Sequence, residues 1–240
     1  MSTNNIIASC SFGKDSLAAI AVRMEHGEPI DKAVYCRIMF DHVTSAELPE
    51  HEDWIFSHAI PLLERRYGIH TTVVQAERSY VDYFYSRFQK GRKAGRIYGF
   101  PFRCGAWCND RLKVKPINKW QRQQGEYTAI IGIAADETKR IPGNTAPNKM
   151  LPLVDYGVTE AEAFDICRKH DLLSPAYNGE RERLGCWFCH NQRIDELRRL
   201  RVEHPTLWRK LMALDADSPV KFTPRETLTD FDERFEREAA

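Results

Sequence analysis

No stretch of this chain is apolar for long enough to cross a membrane, and the polar start Met1-Ser-Thr-Asn-Asn5 lacks the charged and apolar regions of a signal peptide. No membrane association is expected, and the expected compartment is the cytoplasm. Net charge is almost missing too. With 35 basic residues against 34 acidic the balance is +1, so no global field draws the chain to nucleic acid or to a lipid surface, and any basic site must be local. Repeats and low-complexity tracts are absent. The Walker spacing, four residues between its first glycine and Gly-Lys-Ser/Thr, is not found either, which excludes an ordinary kinase or GTPase. In a reducing compartment the 7 cysteines are expected as thiols or metal ligands rather than as disulfides.

What is present fits one sizeable core: 240 residues with 42% hydrophobic content allow one domain or at most two. Short β-rich runs alternate with longer amphipathic stretches, the pattern of βαβ units around a mainly parallel sheet. Strands are predicted at 5–9, 33–40, 71–75, 127–133 and 150–153, with helices at 15–25, 49–67, 80–90, 115–124 and 159–170. The last helix is signalled by the capping box Thr159…Glu162 and by the apolar positions Ala163, Phe164 and Ile166. Two basic helices follow, near 194–204 and 206–214. The expected organisation is an α/β core over 1–155, a doubly wound sheet of five strands, with a cysteine-bearing helical lobe over 156–214 packed on it. The acid-rich tail 215–240 either is tacked down by Phe222, Phe231 and Phe235 or frays.

Ser11-Phe12-Gly13-Lys14-Asp15-Ser16 lies between the first strand and the first helix. Glycine permits close backbone approach, the free N–H groups and dipole of a helix start favour an anion, and Lys14, Ser11 and Ser16 add a charge and two hydroxyls. The sequence reads as a phosphate cradle. It resembles the PP-loop Ser-Gly-Gly-x-Asp-Ser of ATP pyrophosphatases, with Phe12 where that pattern has its first glycine.

In an open α/β sheet the residues just past the strands converge on one crevice. Here these are Asp41, His42, Thr44 and Glu47 after the second strand, Ala134 to Arg140 after the fourth, and Asp155 after the fifth. The fourth-strand segment, Gly132-Ile-Ala-Ala-Asp136-Glu137-Thr-Lys139-Arg140, is similar to the Gly-x-Arg-x-Asp-Glu-Ser/Thr element of the same superfamily; Ala134 takes the place of the arginine, which Lys139 and Arg140 can replace. His42, His51 and His58 read singly as surface or capping residues. Cys104-Gly-Ala-Trp-Cys108 and Cys186-Trp-Phe-Cys189 are two close thiol pairs, the donor set of a zinc ion or of a four-iron four-sulfur cluster, and spacing does not choose between them. Cys10, Cys36 and Cys167 read as buried thiols.

Arg111-Leu-Lys-Val-Lys115-Pro116-Ile117 resembles the Lys-Val-x-Pro-Leu element of sulfonucleotide reductases. With the phosphate loop, Asp136-Glu137 and the late cysteine pair, the chain from about Asn5 to Gln192 resembles the phosphoadenosine phosphosulfate (PAPS) reductase family of the PP-loop superfamily. That resemblance implies an adenine nucleotide alpha hydrolase-like fold and a site for ATP with Mg2+. The loop Ser11–Ser16 would hold the β and γ phosphates, Asp41, Gly132, Glu137, Lys139 and Arg140 would complete the nucleotide site, and Lys14, Asp15 and Asp136 would assist departure of pyrophosphate. The reductases carry a nucleophilic cysteine in a Glu-Cys-Gly-x-His tail, whereas no cysteine follows Cys189 here. Adenylation of an acceptor, in sulfur transfer of the kind that nucleic-acid thiolation and DNA phosphorothioation enzymes perform, therefore ranks above sulfonucleotide reduction. A non-catalytic zinc-stapled nucleotide or nucleic-acid-binding module is the third reading.

The expected partners are an adenine nucleotide, a nucleic-acid or small-molecule acceptor, and a sulfur-donor protein; a homodimer is compatible with the sequence. Two local basic clusters stand out. Arg87, Lys90, Arg92, Lys93, Arg96 and Arg103 are interleaved with Tyr98, Phe100 and Phe102 and with Gly91, Gly95 and Gly99, as a closing loop that meets phosphates and bases would be. Arg193, Arg198, Arg199, Arg201, Arg209 and Lys210 are mixed with Asp195, Glu196 and Glu203, as an ordinary salt-bridged surface would also be.

Overall fold

The structure, a computed structural model, describes residues 5–101, 106–179 and 181–239. In chain order the elements are β1 (Asn5–Ser9), α1 (Lys14–Glu25), β2 (Lys32–Cys36), α2 (Pro49–Trp54), α3 (Ile60–Tyr67), β3 (His70–Val74), α4 (Tyr80–Phe84), α5 (Trp107–Asn109), α6 (Lys115–Gln121), β4 (Tyr127–Ile130), β5 (Lys149–Met150), α7 (Pro152–Asp155), α8 (Glu160–Lys169), α9 (Ile194–Glu203), α10 (Pro205–Asp215) and α11 (Leu228–Ala239). A π-helical turn, Ile55–Ala59, joins α2 to α3.

The chain forms two compact units, each drawn from three separate segments. The first comprises residues 1–37, 48–75 and 115–184 and contains the sheet. Its five strands are all parallel in the order β3-β2-β1-β4-β5, so the α/β class expected from the alternating pattern is the observed one. The small apolar residues of α1, with Ile55, Ala59, Leu62 and Leu63 from the α2–α3 run and Ala163 and Cys167 from α8, make one core with Ala8 and Cys10 of the β1 region. Ser9 lies between those two positions and so faces the opposite side of the sheet, where its hydroxyl accepts from Gln121 of α6 at 3.4 Å. Helices thus flank both faces.

Several boundaries differ from the predicted ones for local reasons. The second strand stops at Cys36 rather than Phe40, because the chain turns there into a tight loop closed by Phe40 N–H to Thr44 O at 2.8 Å. The fifth strand spans only Lys149–Met150: Pro152 has no N–H for a sheet ladder and instead starts α7. The helix predicted to reach residue 90 ends at Phe84, where Ser86 to Tyr98 fold back as a hairpin around an Arg87–Ile97 bridge.

The second unit comprises residues 38–47, 76–114 and 185–240. Its interior is aromatic. Phe40 stacks with Tyr80 and packs on Trp187 and Phe188, while Phe100 packs edge-on against Phe84 and Phe222. The acid-rich end is not frayed: Phe222, Phe231 and Phe235 are buried, and α11 is tied to α9 and α10 by Arg201 and Trp208, both bonded to Asp232. No helix among the described residues is long and apolar enough to cross a membrane.

Candidate functional site

The order 3-2-1-4-5 reverses direction between β1 and β4, the switch point at which an open parallel sheet leaves a crevice. The loop after β1 and the segment after β4 meet there in a cleft of about 160 Å3 lined by Ser11, Gly13, Lys14, Asp15, Ser16, Gly132 and Arg140, closed on one side by Tyr177, Glu182, Arg183 and Leu184. A volume this small suits phosphate groups rather than a whole nucleotide, whose pockets usually exceed about 300 Å3.

The loop is fixed by its own side chains. Ser16 Oγ accepts from Ser11 N–H at 3.2 Å and donates to Gly13 O at 2.9 Å, and Phe12 N–H points at Cys10 Sγ at 3.4 Å. Phe12 has φ +56°, the left-handed region, which explains why the resembled pattern places glycine there. A conformation that costs a non-glycine residue about 1–2 kcal/mol is offset by full burial of the ring, edge-on to Tyr35 at 5.2 Å. Gly13, by contrast, has φ −78°, and a Cβ on it would make only ordinary 3.6 Å contacts, so the backbone conformation does not require glycine at that position. The sterically demanding glycine is Gly132: a Cβ there would lie 2.6 Å from Asp15 C and O and from Ser16 N, so its bareness lets the end of β4 touch the start of α1.

Lys14 is 3% exposed, with Nζ 2.6 Å from Asp15 Oδ1, 3.8 Å from Glu160 and 5.1 Å above the Phe164 ring. Its backbone N–H donates to Tyr177 Oη at 3.1 Å, and its carbonyl accepts from Cys167 Sγ at 3.2 Å. Burial pushes the Cys167 thiol up to about 12, so it is a neutral core group beneath the loop. Cys10 and Cys36 are buried as expected.

The other nucleotide-site candidates are placed unevenly. Arg140 lines the cleft, its guanidinium held 2.7 and 2.8 Å from the two Glu137 oxygens. Glu137 also accepts from Ala134 N–H and so braces the loop rather than facing the cleft. Lys139 is exposed outside it. Asp136 accepts from Glu160 N–H at 3.0 Å, at the start of α8, and is not among the lining residues. Asp41 belongs to the second unit. Burial by itself would raise its carboxyl, but bonds from Lys210, Val43 N–H and Thr44 hold it down at about 2, so it serves as a turn cap and ion-pair partner.

Sequence reasoning passed over the stretch from Tyr177 to Leu184. Tyr177 is pinned by an edge-on contact with Phe164, and Arg181 pairs with Glu50 at 3.4 Å. The available signals were the Asn178-Gly179 turn and the alternating charges of Arg181-Glu182-Arg183. His51, which reads from the sequence as a surface or capping residue, is 1% exposed, its Nδ1 2.8 Å from Ser174 Oγ.

The thiol centre lies in the second unit. Cys108, Cys186 and Cys189 influence one another electrostatically, and all three act on the Tyr80 hydroxyl, which is buried with no hydrogen-bond partner among the described residues. Burial pushes Cys108 up to about 11 and Cys186 well above the usual thiol range. Such grouped thiols have the donor chemistry of a thiophilic ion. Among the described residues, however, no three His, Cys, Asp or Glu side chains are disposed to hold a metal, and Cys104 lies outside the described residues. Four of the six residues of the second basic cluster are in ion pairs: Arg198 with Asp195 and Glu238, Arg199 with Glu196, Arg201 with Asp232 and Glu236, and Lys210 with Asp41.

No protein-family model matches the chain. Uncharacterized protein MJ0066 of Methanocaldococcus jannaschii is 24% identical over 218 residues, 85% of this chain and 40% of that protein. The Uncharacterized nin region protein ORF290 of Escherichia phage lambda is 35% identical over 95 residues, 38% of this chain and 31% of that protein. The matched regions therefore span less than half the length of these curated relatives. Among solved structures, phosphoadenylyl-sulfate (PAPS) reductase from Candida auris, a phosphate complex, superposes with a TM-score of 0.50 at 12% identity, covering 78% of this chain and 83% of that one. The likeness establishes a shared fold.

Proposed function

We propose that the chain binds the phosphates of ATP, or of a related adenine nucleotide, in the cleft at the start of α1 and adenylates an acceptor with release of pyrophosphate, in the service of sulfur transfer. The observation that carries this reading is the convergence, at the switch point of a parallel sheet, of a helix N-terminus, the Ser11 and Ser16 hydroxyls and the cations Lys14, Arg140 and Arg183. Each is a group that stabilises negative charge, and together they suit the β and γ phosphates. An acceptor oxygen attacks the α phosphorus as the bond to the bridging α–β oxygen breaks. Pyrophosphate then departs with its growing charge met by Lys14 and the two arginines. Displacement of AMP from the adenylate by a sulfur nucleophile completes the transfer, with sulfur supplied by a donor protein.

Asp15, one of two carboxylates in the cleft with Glu182, would hold a magnesium ion, whose chemistry is to neutralise the leaving phosphates; Asp136 serves α8 instead. Cys104, Cys108, Cys186 and Cys189 are proposed as ligands of zinc or of a four-iron cluster, which would staple the second unit or supply redox chemistry.

The test is pyrophosphate release from ATP. Lys14→Ala is expected to lower it by at least about 100-fold, the scale for removing one group that stabilises developing charge. Release at the wild-type rate would overturn the assignment. The reductase-like fold favours a second reading, turnover of a sulfonucleotide. It predicts consumption of adenylylsulfate or its 3′-phosphate without ATP, from a chain in which the thiols nearest the loop, Cys10 and Cys167, are buried.

A further inference from the structure

Between Asp82 and Asp110 the sequence holds no acidic residue but six basic ones, Arg87, Lys90, Arg92, Lys93, Arg96 and Arg103, in a chain that is otherwise balanced. The structure gives this imbalance a shape. Residues 86–98 form a hairpin closed by Phe88 N–H to Arg96 O, Gly95 N–H to Phe88 O and Tyr98 N–H to Ser86 O, at 2.8 to 3.0 Å. The positive φ values of Gly91 and Gly95, both +80°, turn its tip. A ladder of alternating cations and rings stiffens its base: Arg78 lies 4.6 Å over Tyr83, Arg111 lies 5.1 Å from both Tyr83 and Tyr98, and Tyr98 packs on Phe88 at 4.6 Å.

Lys90 and Arg92 at the tip and Arg96 just beyond it are exposed and form no ion pair with a described residue, whereas Arg168, Arg198, Arg201 and Arg234 each find a carboxylate. Three like charges held together and left unpaired oppose folding, and a ligand of opposite charge would relieve that repulsion. The tip, Lys90-Gly-Arg-Lys-Ala-Gly95, has no large apolar side chain to insert into a lipid surface. The half-buried Phe88 and Tyr98 rings belong to the same hairpin, with Lys93 5.7 Å over Phe88, so one element offers both cations and rings to an unpaired strand whose phosphates and base faces are both accessible.

We infer that the 86–98 hairpin is a grip for a single-stranded nucleic acid, contacting its phosphates through Lys90, Arg92 and Arg96. The inference narrows the acceptor class of the proposed adenylation, and binding can be measured without that reaction. The experiment is fluorescence anisotropy of the full chain with a labelled oligonucleotide of about 16 residues, as DNA and as RNA, at a series of salt concentrations. Lys90→Ala/Arg92→Ala/Arg96→Ala is expected to weaken binding at least tenfold and to flatten the slope of log affinity against log salt by about 2, since each phosphate contact to a single strand contributes about 0.7. A charge-conserving Arg92→Lys/Arg96→Lys variant is expected to keep both affinity and slope, which separates charge from folding. Binding of ATP, measured by calorimetry without nucleic acid, is expected to be unchanged in the triple variant. An unaltered salt slope in that variant, equal affinity for a duplex of the same length, or displacement of the oligonucleotide by phosphatidylserine vesicles would each overturn the inference. Loss of pyrophosphate release in Lys14→Ala with strand binding intact bears on the cleft alone.

Discussion

His51 shows what a side chain's surroundings do to its chemistry. It sits on α2 between Ser174 and Trp54, and burial depresses its pKa to about 4, a shift that Glu52 only partly opposes. The folded chain therefore leaves His51 neutral in the range where the unfolded chain, with an ordinary value near 6.5, binds a proton. Stability from this residue is fully present above about pH 6.5 and is lost as pH falls toward 4, by roughly 2 kcal/mol between pH 6.5 and 5. Urea unfolding of wild type and His51→Gln at those two pH values checks this. The variant is expected to be less stable at neutral pH and to show a shallower pH dependence. Residues such as this escape sequence reading, because a histidine followed by Glu52 and Asp53 looks like a solvated helix face until the Ser174 region folds onto it. Lys14 and Gly132 stand out through short local patterns, and the structure brings both to the lining of the cleft.

At the scale of elements, legibility follows locality. The capping box of α8 forms as written, Thr159 accepting from Glu162 N–H and Glu162 returning to Thr159 N–H. The strands β1 and β3 lie within one or two residues of where alternation placed them. The short α4 was overextended because the residues after Phe84 pair with Arg96 and Tyr98, contacts invisible in a helical window. From the sequence the aliphatic-poor tail reads only as tacked down or frayed, with no helix predicted, yet Leu228, Phe231 and Phe235 recur at helical spacing and bury one side of α11. Its start is held by a reciprocal cap, Thr227 N–H to Asp230 Oδ2 at 2.7 Å and Asp230 N–H to Thr227 Oγ1 at 3.0 Å, with Asp215 accepting from Leu228 and Thr229 N–H. Thr227→Ala is expected to destabilise the protein by about 1 kcal/mol and to speed amide exchange at 228–231 while leaving β1 unaffected. Equal exchange in variant and wild type would contradict that role.

For the whole molecule, the decisive fact is that each unit is assembled from three stretches of chain. The parallel sheet could be foreseen from alternating strand and helix signals, but the interleaving could not: within 38–47 and 76–114 the sequence shows a strand end, a helix at 80–90, a basic closing loop and a thiol pair, and nothing local separates these segments from the sheet around them. Their aromatic residues are completed only by the last third of the sequence: Trp187 Nε1 donates to Ser45 O at 2.8 Å, and Phe188 packs on Phe40 and Tyr80. A chain ending at Leu184 keeps every strand yet exposes Phe40, Tyr80, Phe84 and Phe100. It is expected to be insoluble on expression, whereas a soluble, cooperatively unfolding fragment would show that the second unit is dispensable.

That same interleaving has a temporal side. At roughly 5–20 residues per second, a ribosome needs about 5–20 s to proceed from Phe84 to Phe188. Phe188 leaves the exit tunnel later than Phe84 by that same interval, during which Phe40, Tyr80 and Phe84 stand outside without the covers that the last third supplies, a standing invitation to chaperones that bind greasy segments.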